Sequence, residues 1–262
     1  MKNILNEIII KRKEAVAQLK QLVSVATWEM MPAFSKETKS LTKALQAENN
    51  TGIIAEFKRA SPSKGIINKL ARVDEVTASY ELHGAAAISI LTEPDFFKGS
   101  NDDIQEASSV VSIPVLRKDF IFDEYQLIES KAIGADVILL IAACLSPAQV
   151  KNLATFAKQL KLEVILEIHD ETELGHICNE TELIGVNNRN LKTFIIDINR
   201  SLQLGQQIPP GKIKIAESGI NNIETIEIFK QAGFKGFLMG ENFMKEQNPG
   251  LAFRNFVNSL HH

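Results

Sequence analysis

Cysteine is scarce in this sequence. The two cysteines, Cys144 and Cys178, show neither a CxxC spacing nor paired histidines beside them. Such scarcity argues against a disulfide framework and against a zinc site. We therefore expect a protein of a reducing compartment, with the cytoplasm as its location.

Long apolar runs and an excess of positive charge are also missing. No stretch approaches the ~18 uninterrupted apolar residues that a membrane-spanning helix needs. The amino-terminal segment MKNILNEIII carries charges within its apolar run and has no small-residue cleavage site. The formal net charge is −3, which gives no general electrostatic reason to bind nucleic acid. We expect neither a membrane protein, nor a secreted one, nor a nucleic-acid-binding one.

What is present is a regular alternation of short apolar runs with longer amphipathic stretches. The runs predict strands at 53–57, 85–91, 113–119, 136–142, 163–168, 183–188, 212–218 and 236–240. Most are nearly continuous Val, Ile, Leu and Ala, which is typical of parallel strands buried on both faces. Their starts lie roughly 20 to 33 residues apart, the spacing of βα units. Helix-start signals such as Ser146-Pro147 stand between them.

Eight such units predict an α/β protein, a closed (β/α)8 TIM barrel. The alternative is a doubly wound open sheet, but the glycine-rich dinucleotide fingerprint is absent after the first strand. We expect one domain over 1–262, with a helical extension over 1–48 and a barrel over 49–262. The apolar stripe of the extension, which includes Ile8, indicates a buried helix face. The sequence leaves open whether this helix covers the barrel bottom or forms a lid at its mouth.

Charged and polar residues stand at the carboxyl ends of the predicted strands, which form the active face of a barrel. They are Glu56, Lys58, Lys118, Glu167, Asn187, Arg189, Glu217 and Ser218. Alternation along a strand places Glu56 and Lys58 on the same side. Any one of these residues could belong to a structural salt bridge. Desolvating so many charges for stability alone would be costly, so the cluster indicates a functional site.

The composition of this cluster limits its chemistry. It contains no Ser–His pair for acyl transfer and no histidine cluster for a metal. We interpret His83, His169 and His176 as isolated, structural residues. Lysines near cations and low-dielectric walls lose proton affinity, whereas glutamates near apolar surface gain it. A Lys/Glu set therefore suits proton transfer at a carbonyl or hydroxyl carbon.

Two glycine-containing loops predict a phosphate site. The seventh predicted strand runs into Gly219, and the eighth runs into Gly240 and Glu241. Barrels often bind phosphate between these loops through backbone N–H groups, which requires the Glu241 carboxylate to point away. An aromatic substrate would also need an apolar wall. The candidates, each with core packing as the alternative, are Phe97, Phe120, Leu139 and Leu140.

The sequence resembles the indole-3-glycerol-phosphate synthase family in several motifs, among them IIAEFKRASPSKG (53–65), VLRKDF (115–120), IGVNNRNL (184–191) and FLMGENFM (237–244). The resemblance covers essentially the whole chain. It implies a lyase of tryptophan biosynthesis that acts without cofactor or metal. Such an enzyme converts 1-(2-carboxyphenylamino)-1-deoxyribulose 5-phosphate to indole-3-glycerol phosphate, carbon dioxide and water.

The resemblance also implies roles for individual residues. Lys118 resembles the general acid that protonates the ribulose carbonyl, Glu167 the acid/base group of the dehydration, and Lys58 a substrate-binding residue that can donate a proton. The division of acid roles between the lysines stays open. Positioning roles are implied for Glu56, Asn187, Glu217 and Ser218, and anion binding for Lys58, Arg189, Gly219, Gly240 and the Glu241 backbone. The substrate-binding set is completed by Ser61, Phe97, Phe120, Leu140, Arg189 and Leu191.

Three alternatives remain at this point. A phosphoribosylanthranilate isomerase would be expected to carry a cysteine near the end of the first strand, where this chain has Glu56-Phe57-Lys58. A Schiff-base aldolase would use Lys58 or Lys118 as a nucleophile. A non-catalytic ligand-binding barrel would have lost at least one of the proposed proton carriers. We expect the partner to be a phosphorylated small molecule, and the protein to be a monomer or a weak homo-oligomer.

Overall fold

The computed structural model describes residues 4–190 and 195–260. Its strands, in chain order, are β1 (Ile53–Phe57), β2 (Ala60–Ser61), β3 (Gly65–Ile66), β4 (Ala87–Leu91), β5 (Val115–Lys118), β6 (Val137–Ile141), β7 (Glu163–Ile168), β8 (Leu183–Asn187), β9 (Ile213–Glu217) and β10 (Phe234–Met239). β2 and β3 form an antiparallel hairpin in the loop after β1. The other strands are parallel and close into a barrel, because β1 pairs with both β4 and β10. The predicted barrel is confirmed.

Helices surround the barrel and precede it. They are α1 (Ile4–Leu22), α2 (Val25–Glu29), α3 (Leu41–Gln46), α4 (Val73–Leu82), α5 (Asn101–Val110), α6 (Glu124–Ala132), α7 (Pro147–Gln159), α8 (Ile198–Gln207), α9 (Ile223–Gln231), α10 (Glu241–Met244) and α11 (Pro249–Leu260). Two 3₁₀ helices follow β6 and β7, at Ala142–Cys144 and Glu171–His176. The helix start at Ser146 is confirmed, with a capping box in which Ser146 and Gln149 bind each other's backbone N–H. Within the described ranges, no helix is both long and apolar enough to cross a membrane.

Side chains along the barrel strands alternate between two apolar layers. One layer fills the barrel interior and includes Ile54, Leu139 and Ile165. The other lies between the strands and the surrounding helices and includes Ile53 and Leu140. This alternation follows from the two-residue period of a strand. The alternation therefore determines which residues at the carboxyl ends of the strands point into the barrel.

The extension covers the amino-terminal end of the barrel with α3. Leu41 and Leu45 are buried and pack in the interior layer. The backbone N–H of Thr42 donates a 3.0 Å hydrogen bond to Glu163, the first residue of β7. This helix therefore corresponds to the bottom cover, one of the two alternatives that the sequence left open.

The first helix, α1, lies at the opposite end of the barrel. Ile4, Leu5 and Ile8 form part of the wall of the cavity at the carboxyl ends of the strands. Arg12 of the same helix forms a buried 2.7 Å ion pair with Asp119, the residue that follows β5. Of the two alternatives for the helix that carries Ile8, the structure shows the position at the barrel mouth, and α3 covers the bottom.

Candidate active site

A cavity of about 340 Å³ lies at the carboxyl ends of the barrel strands. Small-molecule sites commonly have volumes of roughly 300–1,000 Å³. The structure brings to its wall the predicted residues Glu56, Lys58, Ser61, Phe97, Lys118, Phe120, Glu167, Asn187, Arg189, Ser218, Gly219, Gly240 and Glu241. Glu217 lies behind this wall, in contact with Lys118. Leu191 lies outside the described residues.

Lys118 is surrounded by carboxylates. Its Nζ lies 2.7 Å from Glu217 Oε2, 3.8 Å from Glu167 Oε2 and 3.9 Å from Glu56 Oε2. Burial alone would lower the pKa of Lys118, but the three carboxylates outweigh it and raise the pKa above its ordinary value. The expectation that the site lysines lose proton affinity is therefore wrong for Lys118, since its nearest charges are negative.

The three glutamates differ from one another in pKa. Burial, opposed only in part by Lys118, raises the pKa of Glu217 to about 7. Burial acts in the same direction on Glu167, but the contacts from His169 and Lys118 outweigh it and lower the pKa to about 2. For Glu56 the two site lysines likewise outweigh burial and lower the pKa. The expected gain in proton affinity therefore holds for Glu217 and is wrong for the other two.

The end of β1 presents two opposite charges to the cavity. Glu56 and Lys58 both face it, as alternation predicted, and Glu56 Oε1 lies 2.7 Å from Lys58 Nζ. Phe57 between them is buried in the outer layer. Gly240 makes room for this pair, since a Cβ there would lie 2.7 Å from the Glu56 Cβ and 3.0 Å from its carbonyl oxygen. A side chain at position 240 would displace Glu56.

Cations and glycine backbone line the side of the cavity formed by the last strands. Arg189 Nη2 and Lys64 Nζ each lie 3.8 Å from a carboxylate oxygen of Glu241. The Glu241 carboxylate therefore points toward two cations. Gly219 has a φ of +70°, and a Cβ there would also lie 2.6 Å from Ile196. Position 219 therefore excludes a side chain for both reasons, and its backbone lines the cavity.

Asn188, which is not among the predicted site residues, orients the end of β9. This residue is fully buried, and its Nδ2 donates a 2.6 Å hydrogen bond to the carbonyl oxygen of Ser218. Ser218 needs such support because its φ is +68°, which a residue other than glycine rarely adopts. In the sequence, the role of Asn188 is indicated by a second asparagine directly after Asn187, the last residue of β8.

The apolar wall of the cavity includes two aromatic rings. The centroids of Phe97 and Phe120 lie 6.3 Å apart, with a tilt of 38° between the ring planes. The prediction for Leu140 is wrong, because its side chain belongs to the layer between strands and helices. Leu139, the other candidate of this strand, does line the cavity, as does Ile141. A one-residue difference along a strand moves a side chain to the other face.

His169 is not isolated, so that part of its interpretation is wrong. Its Nε2 lies 3.1 Å from Glu167 Oε1, and its Nδ1 lies 3.4 Å from Glu173 Oε2. The available signal was spacing, since the second residue after Glu167 returns to the same side of an extended chain. His176, by contrast, has both ring nitrogens beside backbone carbonyl oxygens, at 3.0 and 2.9 Å. In the part of the chain that the structure describes, no group of His, Cys, Asp and Glu is arranged to hold a metal ion.

The chain is similar to known proteins over almost its whole length. The family model described as indole-3-glycerol phosphate synthase matches residues 5–256. An indole-3-glycerol phosphate synthase from Bacteroides thetaiotaomicron is 45% identical over 260 residues, which cover 99% of this chain and 100% of that protein. One from Bordetella pertussis is 40% identical over 261 residues, which cover 98% of this chain and 100% of that protein.

Solved structures share the fold at much lower identity. The tryptophan synthase subunit alpha from Legionella pneumophila str. Paris gives a TM-score of 0.61 at 12% identity, covering 84% of this chain and 96% of that one. KGPDC from Streptococcus mutans gives a TM-score of 0.60 at 12% identity, covering 80% of this chain and 96% of that one. These two structures show the barrel fold alone. The family-model match and the near-full-length relatives show more: the chain belongs to the indole-3-glycerol phosphate synthase family of carboxy-lyases.

Proposed function

We propose that this protein closes the indole ring of indole-3-glycerol phosphate, with Lys118 as the general acid. The substrate is 1-(2-carboxyphenylamino)-1-deoxyribulose 5-phosphate, and carbon dioxide and water leave. The observation that carries the proposal is the buried Lys118 ammonium, held among three carboxylates at the wall of a cavity of substrate size. Family membership supports the same reaction in tryptophan biosynthesis.

Lys118 acts in the ring-closing step. The ring carbon that bears the carboxylate attacks the ribulose carbonyl carbon, and negative charge develops on the carbonyl oxygen. The Lys118 ammonium transfers a proton to that oxygen, which removes the charge. The raised pKa of Lys118 favours this role over that of a Schiff-base nucleophile, since an ammonium has no free electron pair.

Loss of carbon dioxide and water completes the reaction. The carboxylate leaves as carbon dioxide, and its bonding electron pair returns to the ring. The hydroxyl then departs as water, with a proton from a lysine ammonium. Lys118 and Lys58 are the two candidates for this donor. Glu167, held as a carboxylate, accepts a proton from the methylene carbon beside the ring nitrogen; the C–H electron pair becomes the new double bond, and the indole keeps its N–H. Each bond broken in this sequence is matched by one formed, and each proton has a named carrier.

Binding groups hold the two ends of the substrate. We assign its phosphate to the loops after β9 and β10, where Gly219 and Gly240 line the cavity, with Arg189 and Lys58 as the cations. Phe97 and Phe120 form the apolar wall for the aromatic ring. Binding energy from the phosphate then aligns the two carbons that join.

The test is indole formation by the purified protein. We expect the substrate to yield a product with indole absorbance, and Lys118→Ala to lower turnover at least ~100-fold, the lower end of general-acid contributions. Lys20→Ala serves as the control, because it removes a surface lysine whose only described ion pair is with Asp123 at 2.6 Å. Wild-type turnover in Lys118→Ala would remove Lys118 from its role. Absence of indole from the intact protein would refute the function.

Borohydride separates this proposal from the aldolase alternative. Reduction in the presence of substrate leaves a covalent adduct only if a lysine forms a Schiff base. We expect no adduct on either Lys58 or Lys118.

We further propose a cytoplasmic, monomeric or weakly oligomeric enzyme, folded as one domain over 1–262. The free thiols of Cys144 and Cys178 fit a reducing compartment.

A further inference from the structure

His169 lies between two carboxylates just beyond the end of β7. Its Nε2 is 3.1 Å from Glu167 Oε1, and its Nδ1 is 3.4 Å from Glu173 Oε2. Glu173 belongs to the 3₁₀ helix Glu171–His176, and its carboxylate also accepts a 2.6 Å hydrogen bond from the His169 backbone N–H. The segment that follows β7 therefore fixes the imidazole ring beside Glu167.

The surroundings of the ring favour an imidazolium. A neutral imidazole carries one N–H, so it would turn the lone pair of its other nitrogen toward a carboxylate oxygen. Burial alone would lower the pKa of His169, but Glu167 and Glu173 outweigh it and raise the pKa to about 10. Neither ring contact is aligned as a good hydrogen bond. The attraction is therefore mainly one of charge.

The other titratable groups near the ring leave this charge pattern intact. Asp170, the next residue, adds a further negative charge close to the ring. The thiol of Cys144 lies near Glu167 and Glu173, and burial raises its pKa to about 12, so it is neutral. On the far side, Glu167 Oε2 faces Lys118 Nζ at 3.8 Å. Glu167 thus has one cation at each of its oxygens.

We propose that His169 is a positioning residue that holds Glu167 as a carboxylate and directs its Oε2 toward Lys118. This inference rests on the proposed function, in which Glu167 accepts a proton during dehydration. Glu217 and Glu167 both flank Lys118, and two neighbouring buried carboxylates tend to share a proton. The imidazolium decides between them: the proton goes to Glu217, and Glu167 stays free to act as a base.

The pH dependence of turnover by His169→Gln tests the proposal. Glutamine keeps much of the side-chain volume but carries no charge, so Glu167 takes up a proton at a higher pH. We expect the acid limb of kcat/KM to move upward by roughly one to two pH units, the equivalent of losing one charged contact. His176→Asn is the matched control, because His176 lies on the same segment and contacts only backbone carbonyls through its ring nitrogens. A merely structural role would lower activity equally at every pH, and an unmoved acid limb in His169→Gln would overturn the proposal.

Nuclear magnetic resonance of the intact protein labelled with ¹⁵N-histidine gives a test that needs no folded variant. We expect one histidine ring to keep both nitrogens protonated at pH 8, where an ordinary histidine is neutral. If every ring is neutral at that pH while the enzyme forms indole, the inference fails and the proposed function stands. If no indole forms, the proposed function fails, whatever the state of the ring.

Discussion

Gly185 of β8 leaves the space that the Glu217 carboxylate occupies. A Cβ at this position would lie 2.2 Å from Glu217 Oε1 and 3.1 Å from the Ile165 side chain. Ordinary contact begins at 3.4 Å, so in Gly185→Ala the carboxylate must retreat by roughly 1 Å. Glu217 is fully buried, which leaves it little room to do so.

Two effects of Gly185→Ala follow from this geometry. Overpacking of the interior lowers the free energy of unfolding by about 1–3 kcal/mol. The retreat also breaks the 2.7 Å contact between Glu217 Oε2 and Lys118 Nζ. Lys118 then loses the carboxylate that positions it. Because a misplacement of ~1 Å in a catalytic group costs on the order of 100-fold in rate, we expect kcat to fall by about that factor.

Both effects are measurable on one preparation, by steady-state indole formation and by urea unfolding. Gly175→Ala is the matched control, because a Cβ at position 175 meets no atom within 4 Å. We expect it to keep wild-type turnover and to change the free energy of unfolding by less than about 0.5 kcal/mol. An unchanged kcat together with an unchanged free energy of unfolding in Gly185→Ala would refute the reasoning.

Two further predictions concern stability. Arg12→Met removes the 2.7 Å ion pair with Asp119, whose other ion pair, with Arg117 at 3.0 Å, remains. We expect the free energy of unfolding, measured in urea, to fall by roughly 1.5–3 kcal/mol. An unchanged free energy of unfolding would contradict this. For His169 the folded-state pKa of about 10 exceeds the ordinary 6.5, so its stabilising effect is complete below pH 6.5 and is lost as the pH rises toward 10. The difference in unfolding free energy between wild type and His169→Gln should therefore shrink across that range, and a constant difference would argue against an imidazolium.

Local patterns were sufficient to predict the barrel and most of the cavity wall. A strand carries its own signature in apolar composition, and its polar terminus shows where the chain leaves the sheet. Because parallel strands end at one rim, residues such as Glu56, Lys118 and Glu167 converge without any knowledge of the packing. Alternation also placed Lys58 beside Glu56 correctly.

Facing direction and charge environment were harder to predict. The run VILLI of β6 is apolar at every position, so its composition does not show which residues face the cavity: Leu139 faces it, and the predicted Leu140 does not. The proton affinity of Lys118 depends on which charges from other strands approach it. That arrangement is set by the stagger of the closed sheet, which no single segment encodes. Likewise, the stripe on α1 showed that a face is buried but not what covers it.

The first and third helices of the chain are held to the barrel by residues that are far away in sequence. Arg12 and Asp119 are separated by 107 positions, and Thr42 and Glu163 by 121. During synthesis from the amino terminus, the earliest segment therefore emerges long before its partners do. The contact of α1 with Asp119 and that of α3 with Glu163 can form only after the chain has been synthesised as far as these residues. The part of the cavity wall that α1 supplies is thus made first in the chain but is tied to the barrel by a residue made much later.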